Sequence, residues 1–145
     1  MIKISLTELS QDAVFKLLSV FDGVFTPTLS EELDLHTYSV KLSQYGHFLL
    51  AQSANKEAID GFIAYYLNPE GHFAYITLIA VSSLCQHQGI GHQMLGALES
   101  SLDCNYSRII LEVRKANHQG HHFYLRNGFI EAEDRGEKWL MIKQL

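Results

Sequence analysis

The residues of this chain whose types and spacing could do chemistry gather between positions 81 and 129. The segment Val81-Ser82-Ser83-Leu84-Cys85-Gln86-His87-Gln88-Gly89-Ile90-Gly91 leads from an apolar run into an amphipathic one. Glycines at a helix entrance let backbone N–H groups approach a ligand with no Cβ in the way. The unpaired N–H groups and the positive end of the helix dipole make such an entrance an anion site, suited to a pyrophosphate. Two phosphate motifs are excluded. A G-x-G-x-x-G begun at Gly89 would need glycine where Met94 stands, and a P-loop ending at Gly96 would need lysine where Ala97 stands. Taken alone, the two glycines fit equally well as residues that merely ease a helix start. His118 and His122 have the spacing of a helical zinc pair, but Gln119 stands where a zincin carries glutamate. No further ligand set accompanies them. His118, His121 and His122 are therefore read as surface or ligand-proximal residues, and no metal is expected.

These residues need elements to position them. Residues 2–6 read as a strand, and Leu9, Ala13, Phe15, Leu17, Leu18 and Phe21 form a helical stripe over 8–21. Residues 22–30 read as a loop, with Ser30 as N-cap of a helix over 31–44 in which Thr37, Tyr38 and Val40 are strand formers. Strands are expected at 47–53 and 59–67, flanking a hairpin loop SANKEA. Asn68-Pro69-Glu70-Gly71 is a turn. The nearly unbroken apolar run 72–81 reads as a central strand covered on both faces. Ile90, Met94, Leu95, Leu98 and Leu102 then recur at helical spacing over 89–102. A strand at 107–113 comes next, then a short helix over 118–126 closed by Asn127-Gly128, and two strands at 129–133 and 137–143. A strand–helix–strand unit over 72–113 makes its two strands parallel. The order is that of a three-layer α/β or α+β domain.

Length and charge narrow the class. The chain's 145 residues predict one domain, 1–145. Eleven Lys and Arg against sixteen Asp and Glu give a net charge of −5, which argues against a general nucleic-acid binder. The first ten residues lack the long apolar core of a signal peptide, and no apolar stretch is long enough for a membrane span. Cys85 and Cys104 lack C-x-x-C spacing and read as small apolar residues of a reducing compartment. A cytoplasmic protein that binds neither membrane nor nucleic acid is expected.

Together with the residues C-terminal to it, the glycine loop resembles the acetyl-CoA-binding motif Q/R-x-x-G-x-G/A of the GNAT family of N-acetyltransferases, filled here by Gln86, Gly89 and Gly91. Downstream, LEVRKANHQGHHFYLRNGF (111–129) is similar to the family's next motif, with Asn117, Tyr124, Gly128 and Phe129 at its marked positions. The resemblance implies an α/β fold: a mixed, mostly antiparallel central sheet with a splayed parallel strand pair and helices on both faces. It implies that Gln86, His87, Gln88, Gly89, Ile90, Gly91 and His92 cradle the pyrophosphate of acetyl-CoA. The edge of Ile79, Ala80 and Val81 would hold the pantetheine arm, and Asn117 would help hold the cofactor. Tyr124 would give a proton to the departing thiolate, as a phenol with an ordinary pKa of about 10.

Glu112 is the candidate base for the amine. On strand 107–113 it shares a face with Ile110, opposite Ile109, Leu111 and Val113. The competing reading makes it a solvated strand residue paired with Arg114 or Lys138. A Glu at this place is similar to the branch of the family that acetylates peptide N-termini. The tail EDRGEKWLMIKQL lacks that branch's paired tyrosines. The pyrophosphate loop also lacks the usual Arg or Lys, so backbone amides, with Arg114, Lys115 or Arg126, would have to meet the cofactor's charge. Tyr65, Tyr66 and Tyr75 are read as sheet packing. The expected acceptor is a small-molecule primary amine (an amino sugar, amino acid or polyamine), entering beside residues 22–44. The alternatives are a protein N-terminus or lysine, or a non-catalytic acyl-CoA-binding module. Sheet-edge dimers are common in the family, which makes a homodimer a further expectation.

Overall fold

The computed structural model describes residues 2–53 and 58–145, so the centre of the expected SANKEA hairpin loop lies outside the described residues. Strands β1 (Ile2–Thr7), β2 (His47–Ser53), β3 (Ile59–Asn68), β4 (Phe73–Val81), β5 (Arg108–Arg114), β6 (Ile130–Arg135) and β7 (Lys138–Gln144) form one sheet. Their spatial order is β1-β2-β3-β4-β5-β7-β6. Every neighbouring pair is antiparallel except β4 and β5, which are parallel and joined through helix α4 (Ile90–Ser101).

Helices cover both faces. On one side, Val14, Leu17, Leu18 and Phe21 of α1 (Gln11–Phe21) pack with Phe48, Leu50, Phe62 and Ala64. On the other, Met94, Leu95 and Leu98 of α4 pack with Leu49, Ile63, Ile109 and Leu111, joined by Tyr124 of α5 (His118–Arg126). The alternation along β2 and β3 sends successive side chains to opposite cores.

The single helix expected over 31–44 is two: α2 (Leu29–Glu32) and α3 (Leu35–Tyr45). Asp34 is the reason. Its side chain accepts from the N–H groups of His36 at 3.0 Å and Thr37 at 3.3 Å, capping a new helix while Leu33 stays extended. Ser30 caps nothing. Its N–H and hydroxyl both donate to Asp22, at 2.8 and 2.6 Å, and these bonds hold the Asp22 carboxyl below the usual range. The strand formers of α3 are carried by tertiary contact: Leu42 is fully buried and the Tyr38 hydroxyl reaches the Thr77 hydroxyl at 2.5 Å.

Strand β4 is also not uniformly covered; buried and half-buried residues alternate along it. Its unbroken apolar character has another cause. The register with β3 shifts between Ala64 and Tyr65, so that Thr77 is an extra residue between Ile76 and Leu78. Ala74 and Ile76 therefore belong to the α4-side core, whereas Leu78 and Ala80 belong to the α1-side core. No helix among the described residues is long and apolar enough to cross a membrane.

Phe62 is fully buried and meets Phe21 edge-on at 5.1 Å. Phe62→Ala should cost about 3–5 kcal/mol in urea unfolding. Val20→Ala, at a position 70% exposed, should stay within about 0.5 kcal/mol of wild type.

Candidate active site

The parallel pairing of β4 with β5 runs only from Phe73–Arg108 to Ile76–Leu111. Beyond it each strand keeps its outer neighbour, β3 as far as Val81 and β7 as far as Arg114. The inner edges of 77–81 and 112–114 thus diverge inside the sheet. Along the β4 side of this gap lies a cleft of about 620 Å³. Ile79, Ala80, Val81, Gln86, His87, Gly89, Ile90, Gly91, His92, Asn117 and Tyr124 all line it. Gln88 and Glu112, also expected at the site, do not line it.

The loop from β4 to α4 is anchored at its base. The Ser82 N–H donates to the Asp60 carbonyl at 2.7 Å, the Cys85 thiol to Asp60 Oδ1 at 3.5 Å, and Gln86 Nε2 to the Val81 carbonyl at 3.2 Å. Cys85 is buried by this arrangement, but Cys104 is exposed, contrary to its reading as an apolar residue. Between the anchors and α4, His87 and Gly89 take left-handed conformations, with φ of 65° and 79°. Such alternations gather successive amides into an anion-binding concavity. The first amide of α4 with an intrahelical acceptor is that of Gln93, bonded to Gly89 at 3.0 Å; among the described residues the amides of 86–92 have none. The two glycines differ in role. A Cβ on Gly89 would meet nothing within 4 Å, whereas one on Gly91 would stand 2.8 Å from the ring of Phe123. Gly91 lets α5 approach α4.

Helix α5 forms the far wall. Asn117 is its N-cap and accepts from the Gly120 N–H at 2.9 Å. Asn127 donates through Nδ2 to the Phe123 carbonyl at 2.8 Å, which leaves its Oδ1 to accept from His92 Nδ1 at 2.6 Å. That bond ties α4 to α5 and leaves His92 Nε2 for other partners. Arg126 is the one permanently charged cation among the cleft's described lining residues. Arg114 and Lys115, expected to share in meeting cofactor charge, are instead paired with Glu32 and Asp134. Of the three cations expected to meet cofactor charge only Arg126 lines the cleft, whereas Phe123 and Asn127 carry no site signal in the sequence beyond their place on the helix that bears Tyr124.

Tyr124 is 8% exposed and held edge-on by Phe123 and Phe129, at 5.4 and 5.6 Å between ring centroids. Its hydroxyl has no hydrogen-bond partner among the described residues. Burial pushes the phenol well above its ordinary pKa.

Glu112 is the first β5 residue past the point where pairing stops, on the face opposite Leu111 and Val113. Its expected partners, Arg114 and Lys138, are not its partners. Tyr75 donates to its Oε1 at 3.2 Å, and Arg135 stands 3.4 Å from its Oε2. Tyr75 is therefore more than sheet packing. Burial and the adjacent carboxylate push its phenol up to about 12, which keeps it a neutral donor. Among the described residues no cluster of three His, Cys, Asp or Glu could hold a metal ion. His121 pairs with Glu131 at 2.5 Å.

Unpaired amides at a helix entrance, a strand edge with no partner and a buried phenol together fit an elongated acyl thioester with an anionic end. The chain belongs to the acetyltransferase (GNAT) family, whose sequence profile matches residues 12–129. It is accordingly an acyltransferase with acetyl-CoA as donor. Solved structures share the fold. The PaiA N-acetyltransferase of Thermoplasma acidophilum, in complex with coenzyme A, is 20% identical with a TM-score of 0.78, covering 99% of each chain. The ribosomal-protein-S18-alanine N-acetyltransferase of Escherichia coli is 20% identical with a TM-score of 0.73, covering 99% of this chain and 94% of that one. The Arabidopsis thaliana NAA60 structure with a bisubstrate analogue is 12% identical with a TM-score of 0.76, covering 98% of each chain. No curated protein matches the sequence.

Acetyl-CoA at 100 times its Kd should stabilise the protein by about 2.7 kcal/mol in thermal melts, and NAD and ATP should not. Gly89→Ala forces a left-handed backbone on a residue with a Cβ, at a cost of about 1–2 kcal/mol to the free protein. Its acetyl-CoA affinity by titration calorimetry should fall at least tenfold. Gly91→Val should instead lower the melting point without ligand, because of Phe123.

Proposed function

We propose that the chain is a single acetyltransferase domain that acetylates the primary amine of a small molecule, with Tyr124 and Glu112 on opposite sides of the splayed strands as acid and base. The observation that carries the reading is the continuity of the cleft. It runs from Gln86, His87 and Gly89–His92, along the edge of Ile79–Val81 that has no partner strand, to Tyr124.

In this reading the amides of 86–92, the α4 dipole and Arg126 hold the pyrophosphate, so the lack of Lys or Arg in the loop is met mostly by dipoles. Gln86 supports the loop through the Val81 carbonyl, and Asn117 shapes the wall as the α5 cap. The edge amides of 79–81 orient the pantetheine arm and offer a donor where negative charge develops on the acyl oxygen. When bound, acetyl-CoA supplies an activated acetyl group on a thiolate that leaves readily. Glu112 takes a proton from the acceptor's ammonium, directly or through water, so that the amine can attack. Tyr124 returns a proton to the departing sulfur.

The likeness to the ribosomal-protein-S18-alanine N-acetyltransferase, together with Glu112, supports a second reading in which the acceptor is a protein, at its N-terminus. Against it stands the β6–β7 turn, where Arg135-Gly136-Glu137 carries an ion pair to Glu112 and no tyrosines.

Tyr124→Phe keeps the ring packing and should lower kcat about 10²-fold with little change in acetyl-CoA affinity. Because burial raises the phenol, the wild-type kcat–pH profile should show no fall from tyrosine ionisation up to pH about 10, the ordinary value. Equal kcat in variant and wild type would return Tyr124 to packing alone. Glu112→Gln should lower kcat/KM for an amine about 10²-fold near neutral pH. The deficit should shrink as rising pH deprotonates the free amine. A deficit independent of pH would remove Glu112 as base.

A further inference from the structure

The face of the sheet that carries Glu112 holds charges that the cofactor cleft does not use. Arg135, at the end of β6, stands 3.4 Å from Glu112 Oε2 and 3.3 Å from Glu133 Oε1. Both separations are long for charge-assisted bonds, which form at about 2.7–2.9 Å. The side chain is 43% exposed and its guanidinium has five N–H donors in a fork that matches a carboxylate, so neither glutamate saturates it. Arg114, two residues beyond Glu112 on the same face of β5, is bound instead to Glu32 of α2. Neither arginine lines the cleft, so neither is needed for the donor's phosphates.

Arg135, Glu112 and Glu133 together carry one positive charge and two negative ones, so selection here rests on the donors the fork has left over and not on repulsion of ammonium groups. Those donors favour an acceptor whose amine has an anion next to it. Tyr75 fixes Oε1 of the same carboxylate, so that Glu112 presents its amine-receiving oxygens between a neutral donor and a guanidinium. Resting on the reading of Glu112 as base and the acceptor as a small amine, we propose that Arg135 is the specificity-determining residue for an acceptor carrying a carboxylate beside its amine, namely a free α-amino acid. The ammonium meets Glu112 and the carboxylate meets the Arg135 fork. Glu112 takes one proton from the ammonium and passes it to water. As the freed nitrogen bonds to the acetyl carbon the C–S bond breaks, the nitrogen's second surplus proton leaves through Glu112, and the thiolate takes one from Tyr124, which is reprotonated from solvent. A polyamine or a neutral amino sugar leaves the remaining donors of the fork unused.

The test compares each of the twenty L-amino acids with its α-amide and its decarboxylated amine, following release of free CoA by wild type, Arg135→Gln and Arg135→Lys. For the preferred acceptor, kcat/KM for the acid should exceed that for amide and amine by about 10–100-fold, the worth of a charged hydrogen-bonded pair. Arg135→Gln should bring that ratio within about threefold of unity, chiefly through the KM of the acid, and Arg135→Lys should restore part of it. Amides or amines that match the acids in wild type, or a ratio that survives in Arg135→Gln, would overturn the role of Arg135 and leave the small-amine reading standing. If the protein binds acetyl-CoA but turns over none of the sixty compounds, the amino-acid proposal falls, and an amino-sugar and polyamine panel decides the small-amine reading. If Arg135→Gln does not fold, the wild-type ratio decides alone.

Discussion

Two neighbouring strands in the middle of this sheet stop pairing, and most of the site depends on that. Backbone N–H and C=O groups inside a fold need partners, yet the inner edges of β4 and β5 past Ile76 and Leu111 have none across the gap. The gap persists because the outer edges are fully bonded, β4 to β3 and β5 to β7, so neither strand can swing in to close it. The extra residue at Thr77 adds local twist on the β4 side just where divergence begins. An extended ligand completes such a sheet as an added strand would.

In the proposed reading, the helix-entrance end of the cleft is how a protein of net charge −5 would hold phosphate. The attraction is local. It comes from amides left free by the αL residues His87 and Gly89, from the end of a twelve-residue helix, and from one arginine. Dipoles held by a rigid loop need no reorganisation when the ligand arrives, unlike long flexible lysine chains. The rigidity is visible in the anchors: Asp60 at the base, Gln86 on the Val81 carbonyl, and His92 on Asn127.

The splay also separates two environments. Tyr124 sits among apolar rings of the α4-side core, where its proton is held tightly. Glu112 sits on the opposite face, partly exposed, between a tyrosine hydroxyl and a guanidinium. The proposed acid and the proposed base thus lie in different surroundings, one among apolar rings and one beside polar partners.

Much of this was legible along the chain. Local spacing identified α4, α5 and nearly every strand, because apolar periodicity is imposed by which face is buried. The two glycines, Asn117 and Tyr124 fell in one linear stretch, and the elements bearing them fold next to each other in space. What the sequence could not state were relations between distant residues. Asp34 split a helix through its own side-chain bonds, and Ser30 was taken by Asp22 eight residues earlier. The Thr77 bulge exists only as a register between two strands. Gly91 serves a ring on another helix, and Arg135 meets Glu112 through the path of β7, though charge alone suggested Arg114 or Lys138. The sequence by itself determined most of the elements and the glycine loop, since those depend on residues adjacent or one turn apart. Only the tertiary structure decided the partners of Glu112, because they are set by strand order and by which face of the sheet each side chain takes.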